Sequence, residues 1–230
     1  MKTYNILNLY SCLGGNRAKW DEAADSFGID IKVTGVELDK DLARLYKERF
    51  PNDTVIVADA HEYLLNHHEE FDFIWSSPPC PTHSRARFAR KSTTTAAYPD
   101  MTLYQEIIFL QKWFKGKYLV ENVIPYYKPL IPATVRGRHL YWCNFDLPEV
   151  LSDRKTSAMA GKSEMSKWNE FHDYDFSKYR GKQRNDKIAR NLVDYEAGKT
   201  ILEKVLSIEF KEESNVHPIF QQSLMPFGIK

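Results

Sequence analysis

Cysteine is scarce in this chain, and its placing excludes two kinds of scaffold. Cys12, Cys80 and Cys143 are the three cysteines in 230 residues, an odd number at wide spacing with no CxxC pair. Neither a disulfide framework nor a zinc site is built that way, so no metal is expected, and a reducing cytoplasm is the expected compartment. Charge of one sign is lacking as well: 32 Lys and Arg stand against 31 Asp and Glu, a formal net charge of +1. Bulk electrostatics gives no argument for nucleic acid, and such a partner has to be met by a local patch. No long apolar run occurs near Met1 or later, so neither a signal peptide nor a membrane-spanning helix is expected. Internal repeats are also absent.

What is present is 43% hydrophobic residues, enough for a sizeable core in a length suited to one α/β domain with an appendage. Short apolar segments alternate with helical patterns, the signature of βα units and a mostly parallel sheet. Strands are expected at Tyr4 to Leu9, Ile31 to Val36, Thr54 to Val57, Phe71 to Trp75 and Lys117 to Val120, with a late pair between Arg138 and Phe145. Helices fit between them at Asn16 to Ser26, Asp41 to Phe50, His61 to His67 and Met101 to Phe114. Leu103, Ile107, Leu110 and Phe114 keep helical spacing and should cover one sheet face. From Leu151 to about Asp186 the pattern breaks down, and a single helical pattern returns from Lys187 to Leu206.

Ligands of open parallel sheets bind beyond the carboxyl ends of the strands, and there the sequence is informative. The first strand runs into Tyr10-Ser11-Cys12-Leu13-Gly14-Gly15, a tight turn whose glycines let backbone approach a ligand. The second ends in Glu37-Leu38-Asp39, about 20 residues on, where a carboxylate can take both hydroxyls of a ribose. The third ends in Asp59-Ala60, suited to an adenine amine. Each carboxylate alone reads as a helix N-terminal anion. Together, in this order, they resemble the S-adenosylmethionine pocket of Rossmann-like methyltransferases.

Cys80 follows the fourth strand in Trp75-Ser76-Ser77-Pro78-Pro79-Cys80-Pro81. Prolines fix the backbone and remove amide donors, so the thiol leaves the strand end in a set direction. A lone cysteine is more often a small buried hydrophobe. Here, however, the fifth strand brings Glu121-Asn122-Val123 alongside, and Arg136-Gly137-Arg138 leads into the last strands. A thiolate, an acid and guanidinium groups beside such a pocket suit addition to carbon 6 of a cytosine, with the acid on ring nitrogen 3.

These residues resemble the DNA cytosine-5 methyltransferase family. Pro79-Cys80 with Ser84 is similar to its nucleophile motif, Glu121-Asn122-Val123 to its Glu-Asn-Val motif, and Arg136-x-Arg138 to the end of its Gln-x-Arg-x-Arg motif. Tyr10 to Gly15 resembles the Phe-x-Gly-x-Gly-Gly cofactor loop, with Tyr10 where an aromatic packs on adenine. Arg190-Asn191-Leu192-Val193 resembles the final Gly-Asn-x-Val motif, whose helix closes the cofactor pocket from the chain's end. The resemblance covers residues 4 to 145, with a second piece at 187 to 206. It implies a Rossmann-like class I S-adenosylmethionine-dependent fold, catalytic Cys80, Glu121, Arg136 and Arg138, and cofactor contacts from Tyr10, Ser11, Leu13, Gly14, Gly15, Glu37, Leu38, Asp59, Ala60, Pro79, Asn191 and Val193. Departures are Cys12 for the first motif glycine, Pro81 and Thr134 for two glutamines, and Leu38 where the family often has an aromatic. An arginine-bearing segment between recognition region and last motif is missing.

The implied organisation is a catalytic domain at 1–150, a small target-recognition region at 151–186 and a returning helix with a tail at 187–230. DNA is the implied partner, bound by a monomer or with a complementing subunit, and no membrane is involved. Arg85, Arg87, Arg90 and Lys91 crowd the loop after Cys80 with no acid among them, a phosphate-clamping pattern like that of a solvated loop. Between Leu151 and Arg190, ten basic and six acidic residues interleave with Trp168, Phe171, Tyr174, Phe176 and Tyr179, which suits a groove reader or a packed lobe. Competing readings are an exocyclic-amine methyltransferase, from Ser77-Pro78-Pro79, a tRNA cytosine methyltransferase, and a silent DNA-binding subunit.

Overall fold

The strand Thr3–Leu9 (β1) buries Ile6 on one face and Leu7 on the other, the pattern of a strand covered by helices on both sides. The computed structural model describes residues 3–85, 95–151 and 165–211. Further strands are Asp30–Val36 (β2), Thr54–Ile56 (β3), Phe73–Ser76 (β4), Lys117–Val123 (β5), Thr134–Arg136 (β6) and His139–Cys143 (β7). They form one sheet of order β3-β2-β1-β4-β5-β7-β6. The pairings from β3 through β5 are parallel, and β7 runs antiparallel to both β5 and β6. The connection reverses direction between β1 and β4, so the ligand crevice of such a sheet lies at their carboxyl ends.

Helices are Trp20–Asp25 (α1), Lys40–Arg49 (α2), Ala60–His67 (α3), Thr102–Trp113 (α4), Met165–His172 (α5), Asn185–Asn191 (α6) and Tyr195–Lys211 (α7). Side chains alternate across a strand, and the two faces fill separately. Ile6, Phe73, Trp75 and Leu119 pack under α1 and α7, which contribute Trp20, Ile201, Leu202 and Val205. Leu7, Leu9, Ile74 and Val120 pack under α3 and α4, where Leu103, Ile107 and Leu110 make the expected stripe. A third cluster joins Leu13, Leu42 and Leu45 to Trp168, Phe176, Tyr179 and Ile188.

Four expectations need correction. The segment Asn16 to Ser26 opens with a 3₁₀ turn, Asn16–Lys19, before α1. The late strand pair is a hairpin of β6 and β7 turning at Gly137, so only β7 falls between Arg138 and Phe145. The helix expected from Lys187 to Leu206 is two helices broken at Leu192 to Asp194, without a glycine or proline to announce the break. The lobe after Leu151 contains α5, and its Trp168, Phe176 and Tyr179 are buried against α2 and the loop after β1. Those three aromatics are core, not groove readers, because burying them on Leu42 and Leu45 removes large apolar surfaces from water.

Candidate active site

The carboxyl ends of β1, β2 and β4 and the start of α3 open onto a cavity of roughly 1090 Å³. The loop after β1 lines it with Tyr10, Ser11, Cys12 and Gly15. Tyr10 (φ 56°), Cys12 (φ 49°) and Gly14 (φ 66°) all adopt the left-handed region, which costs nothing at glycine and is strained at the other two. Backbone bonds hold the turn: Ser11 N donates to Val36 O at 3.0 Å and Gly14 N to Ser11 O at 2.8 Å. Cys12 N donates to Glu37 Oε2 at 2.9 Å, so the strained residue is fixed by the carboxylate at the end of β2.

The glycines serve packing more than direct contact. A side chain on Gly14 would collide with Tyr46 and Phe50 of the α2 segment, and one on Gly15 with the Val193 carbonyl. Gly15 lines the cavity, whereas Gly14 and the fully buried Leu13 do not. Leu13, expected as a cofactor contact, belongs to the third core cluster.

Ser11, Glu37, Leu38, Asp59, Ala60 and Tyr10, the residues expected to contact a cofactor, all line the cavity. Glu37 also accepts from Asp39 N at 2.9 Å, and burial, its largest influence, raises its pKa despite the amide bonds that oppose the rise. Asp39 and Asp59 cap α2 and α3, each accepting two amides with Oδ1. Their capping role is therefore real as well. Ser11 Oγ is buried without a protein partner.

On the opposite side, β4 ends at Ser76 and the chain turns through the prolines to Cys80. His83 N and Ser84 N both donate to Cys80 O at 3.0 Å, making a tight turn that the expected loop did not specify. This turn is pinned beyond β5: Tyr126 N donates to His83 O, Ser84 bridges Pro125, and Arg85 Nε donates to Pro125 O at 3.1 Å. Arg85 thus holds backbone, while Arg87, Arg90 and Lys91 lie outside the described residues.

Glu121, 7% exposed, lies within β5 and reaches the same loop. Ser77 Oγ donates to Glu121 Oε2 at 3.1 Å, and Ser77 itself accepts from Trp75 Nε1 at 2.9 Å. Asn122 Nδ2 donates to Pro78 O at 2.9 Å, so the Glu-Asn pair grips the Pro-Pro-Cys segment at two points. Burial raises the Cys80 thiol above its ordinary range, the Glu121 charge raises it further, and Lys187 opposes both.

The arginines are placed otherwise than expected. Arg136 donates to the carbonyls of Pro148 and Val135 at 2.8 and 2.9 Å, bracing the hairpin. Arg138 is exposed in the turn before β7, and neither arginine lines the cavity. The side chain beside Glu121 is the imidazole of His139, with Nε2 at 3.5 Å from Oε1. Register explains this: Glu121 pairs with Tyr141 and Val123 with His139, which makes Glu121 and His139 diagonal neighbours on one face.

The roof comes from the second half of the chain. Tyr179 OH donates to Asp39 Oδ2 at 2.6 Å and Arg180 N to Asp41 Oδ2 at 2.6 Å, which seats Gly181 to Gln183 over the end of β2. Asn191 and Val193 line the cavity as expected, joined by Lys187, whose part no sequence motif indicated. Pro79 and Cys80 form the facing wall. Asn8 and Asn16, bonded to each other at 2.8 Å, were equally unannounced because an asparagine pair has no spacing signature. Among the described residues no group of His, Cys, Asp and Glu could hold a metal ion, and no helix is long and apolar enough to cross a membrane.

Comparison with known proteins places this geometry. Among solved structures, DNMT2 of Spodoptera frugiperda is 24% identical with a TM-score of 0.38, over 52% of this chain and 35% of that one. The methyltransferase EhMeth of Entamoeba histolytica is 14% identical with a TM-score of 0.37, over 54% and 39%. SMU.776, solved with SAH, is 18% identical with a TM-score of 0.34, over 51% and 30%. The match thus spans between 30% and 39% of those proteins' own length. No curated protein matches the sequence. Residues 4–126, more than half of the chain and including the Tyr10–Gly15 loop, Cys80 and Glu121, match one family along their length, and the chain belongs to the C-5 cytosine-specific DNA methylases.

Proposed function

We propose that the chain methylates carbon 5 of a cytosine in DNA through a covalent Cys80 adduct. S-adenosylmethionine is the cofactor of this family, and the crevice suits it. Ser11 Oγ is a buried polar atom awaiting a partner. Glu37 and Asp59 retain acceptor capacity beyond the amides they hold, since a carboxylate offers about four lone-pair sites. In this reading Glu37 takes the ribose hydroxyls, Asp59 the adenine amine, and Tyr10, Leu38 and Pro79 flank the ring, with Asn191 and Val193 closing the far wall. When bound, the cofactor supplies an electrophilic methyl group.

The observation that carries the proposal is that the loop carrying Cys80, which leaves β4, is tied at Ser77 and Pro78 to Glu121 and Asn122 of the adjacent parallel strand β5, beside this crevice. The cysteine sulfur forms a bond to carbon 6 of the ring while Glu121 delivers a proton to ring nitrogen 3, which lets the ring accept the electron pair. Glu121 enters that step as the neutral acid and leaves it as a carboxylate, which takes the proton back from nitrogen 3 when the ring is restored; the Cys80 thiol proton passes to solvent as the sulfur bonds to carbon 6. Carbon 5, now electron-rich, is the methyl acceptor; loss of its proton then expels the Cys80 thiolate and restores the aromatic ring. Access to carbon 6 requires the target base outside its stack. Basic residues of the Cys80 loop and of residues 151–186 would meet the phosphates.

The test is a trap. DNA carrying 5-fluorocytosine cannot release a carbon-5 proton, so the wild type with S-adenosylmethionine should leave a denaturation-resistant adduct at Cys80, and Cys80→Ser should leave none. Methylation of an exocyclic amine, or activity retained in Cys80→Ala, would refute the covalent route; activity on RNA alone would move the substrate.

A further inference from the structure

Glu106 lies on the inner side of α4 with no exposed surface, and no Lys or Arg pairs with it among the described residues. A carboxylate so buried is kept only by hydrogen bonds. Three donors converge on it: Tyr10 OH at 2.5 Å, Ser76 Oγ at 2.6 Å, and His61 Nδ1 at 3.2 Å. Tyr10 follows β1, Ser76 ends β4 one residue before Ser77, and His61 lies in the first turn of α3. Tyr10 and His61 themselves line the crevice, and Ser76 leads into the segment that does.

We propose that Glu106 is a positioning residue for the adenosine end of the cofactor, acting through the Tyr10 hydroxyl. The inference rests on Tyr10 being the ring on which adenine packs. The motif that this loop resembles carries phenylalanine at that position, so the hydroxyl and its anchor belong to this chain. Tyr10 also holds a strained left-handed backbone, a conformation that persists only where its surroundings enforce it. Bonded at its far end to a buried acceptor, the ring cannot swing about its side-chain torsions and is ordered before ligand arrives. An unanchored ring has to be immobilised on binding, a cost equivalent to about three- to tenfold in affinity.

Calorimetry on the full chain tests this with two ligands: S-adenosylmethionine, and 5′-methylthioadenosine, which keeps the adenosine and lacks the amino-acid arm. Tyr10→Phe retains the ring and removes only the hydroxyl, so no cavity threatens the fold. Both ligands should weaken about three- to tenfold in Tyr10→Phe, similarly in Glu106→Gln, and no further in the double variant, because both changes cut the same bond. Should Glu106→Gln fail to fold, Tyr10→Phe alone decides. Full affinity of Tyr10→Phe for both ligands, a loss confined to S-adenosylmethionine, or losses that multiply in the double variant would each overturn the assignment. A wild-type chain that binds neither ligand would instead overturn the methyltransferase reading on which it rests.

Discussion

Ser77 donates its hydroxyl to Glu121 at 3.1 Å, three positions before the cysteine that the same carboxylate electrostatically burdens. One glutamate therefore holds the Cys80 loop and raises the pKa of its thiol. The two effects separate under substitution. Glu121→Gln keeps the shape and removes acid and charge. Turnover should fall about a hundredfold or more, the range that general acid catalysis supplies. The Cys80 pKa should at the same time move down towards the ordinary thiol value, since a raising influence is gone. Iodoacetamide labelling of Cys80 across pH 7 to 10, beside single-turnover methylation, reads both. A variant with wild-type chemistry, or with an unmoved thiol, would contradict the arrangement.

Cofactor binding should depend on Glu37 with an intact fold. Its carboxylate accepts amides from both the Cys12 and Asp39 backbones, and removing it deletes the proposed ribose partner together with the brace on a strained loop. Glu37→Ala should weaken S-adenosylmethionine binding by about 1.5 to 3 kcal/mol, the worth of hydrogen bonds to a charged group. Calorimetry measures it, and Glu37→Gln should recover only part of the loss.

His61 should titrate above the ordinary histidine value of about 6.5. Its hydrogen bond to Glu106 is the largest influence and raises it, while partial burial opposes. Because the folded-state value is the higher one, the stabilisation this pair gives is complete below about pH 6.5 and fades as pH rises through the raised value. Imidazole proton shifts should show the elevated midpoint in the wild type and a lower one in Glu106→Gln. The stability difference between wild type and His61→Gln should shrink, not grow, from pH 6 to pH 9.

Asp53 concerns stability alone. It is 3% exposed and accepts both Arg17 Nε and Nη2 at 2.9 Å, with Tyr46 OH at 2.9 Å as a third donor. Asp53→Ala leaves a buried guanidinium short of its partner, which costs about 3 to 5 kcal/mol. Urea unfolding should show that loss. A change below about 1 kcal/mol would mean that the Asp21 pair suffices for Arg17.

The sheet was legible because its signals are local. In β1, β2 and β4 the buried runs and their flanking turns identify each strand without knowledge of its neighbours. The strand-end residues Glu37, Asp59 and Cys80 followed from those boundaries. What escaped depends on register or on distance in sequence. Arg138 and His139 differ by one position, and only the ladder of β7 on β5 decides which side chain faces Glu121. The aromatics Trp168, Phe176 and Tyr179 have the composition of a recognition surface, and only their burial on α2 reveals a core. Glu106 sits within an apolar helical pattern, where a single acid normally marks the solvent side. Its three donors lie 30, 45 and 96 positions away.

The Tyr179–Asp39 bond spans 140 positions, and Val193 closes on Gly15 across a still longer interval. On the ribosome, the loop after β1, Cys80 and Glu121 would all emerge well before the crevice has its second wall. Most of the crevice lining is encoded early, and the wall of Gly181 to Gln183, Lys187 and Asn191 to Val193 late. A cut between α5 and α6 would leave Glu37, Asp59, Cys80 and Glu121 on one fragment and Asn191 and Val193, which close the far wall, on the other.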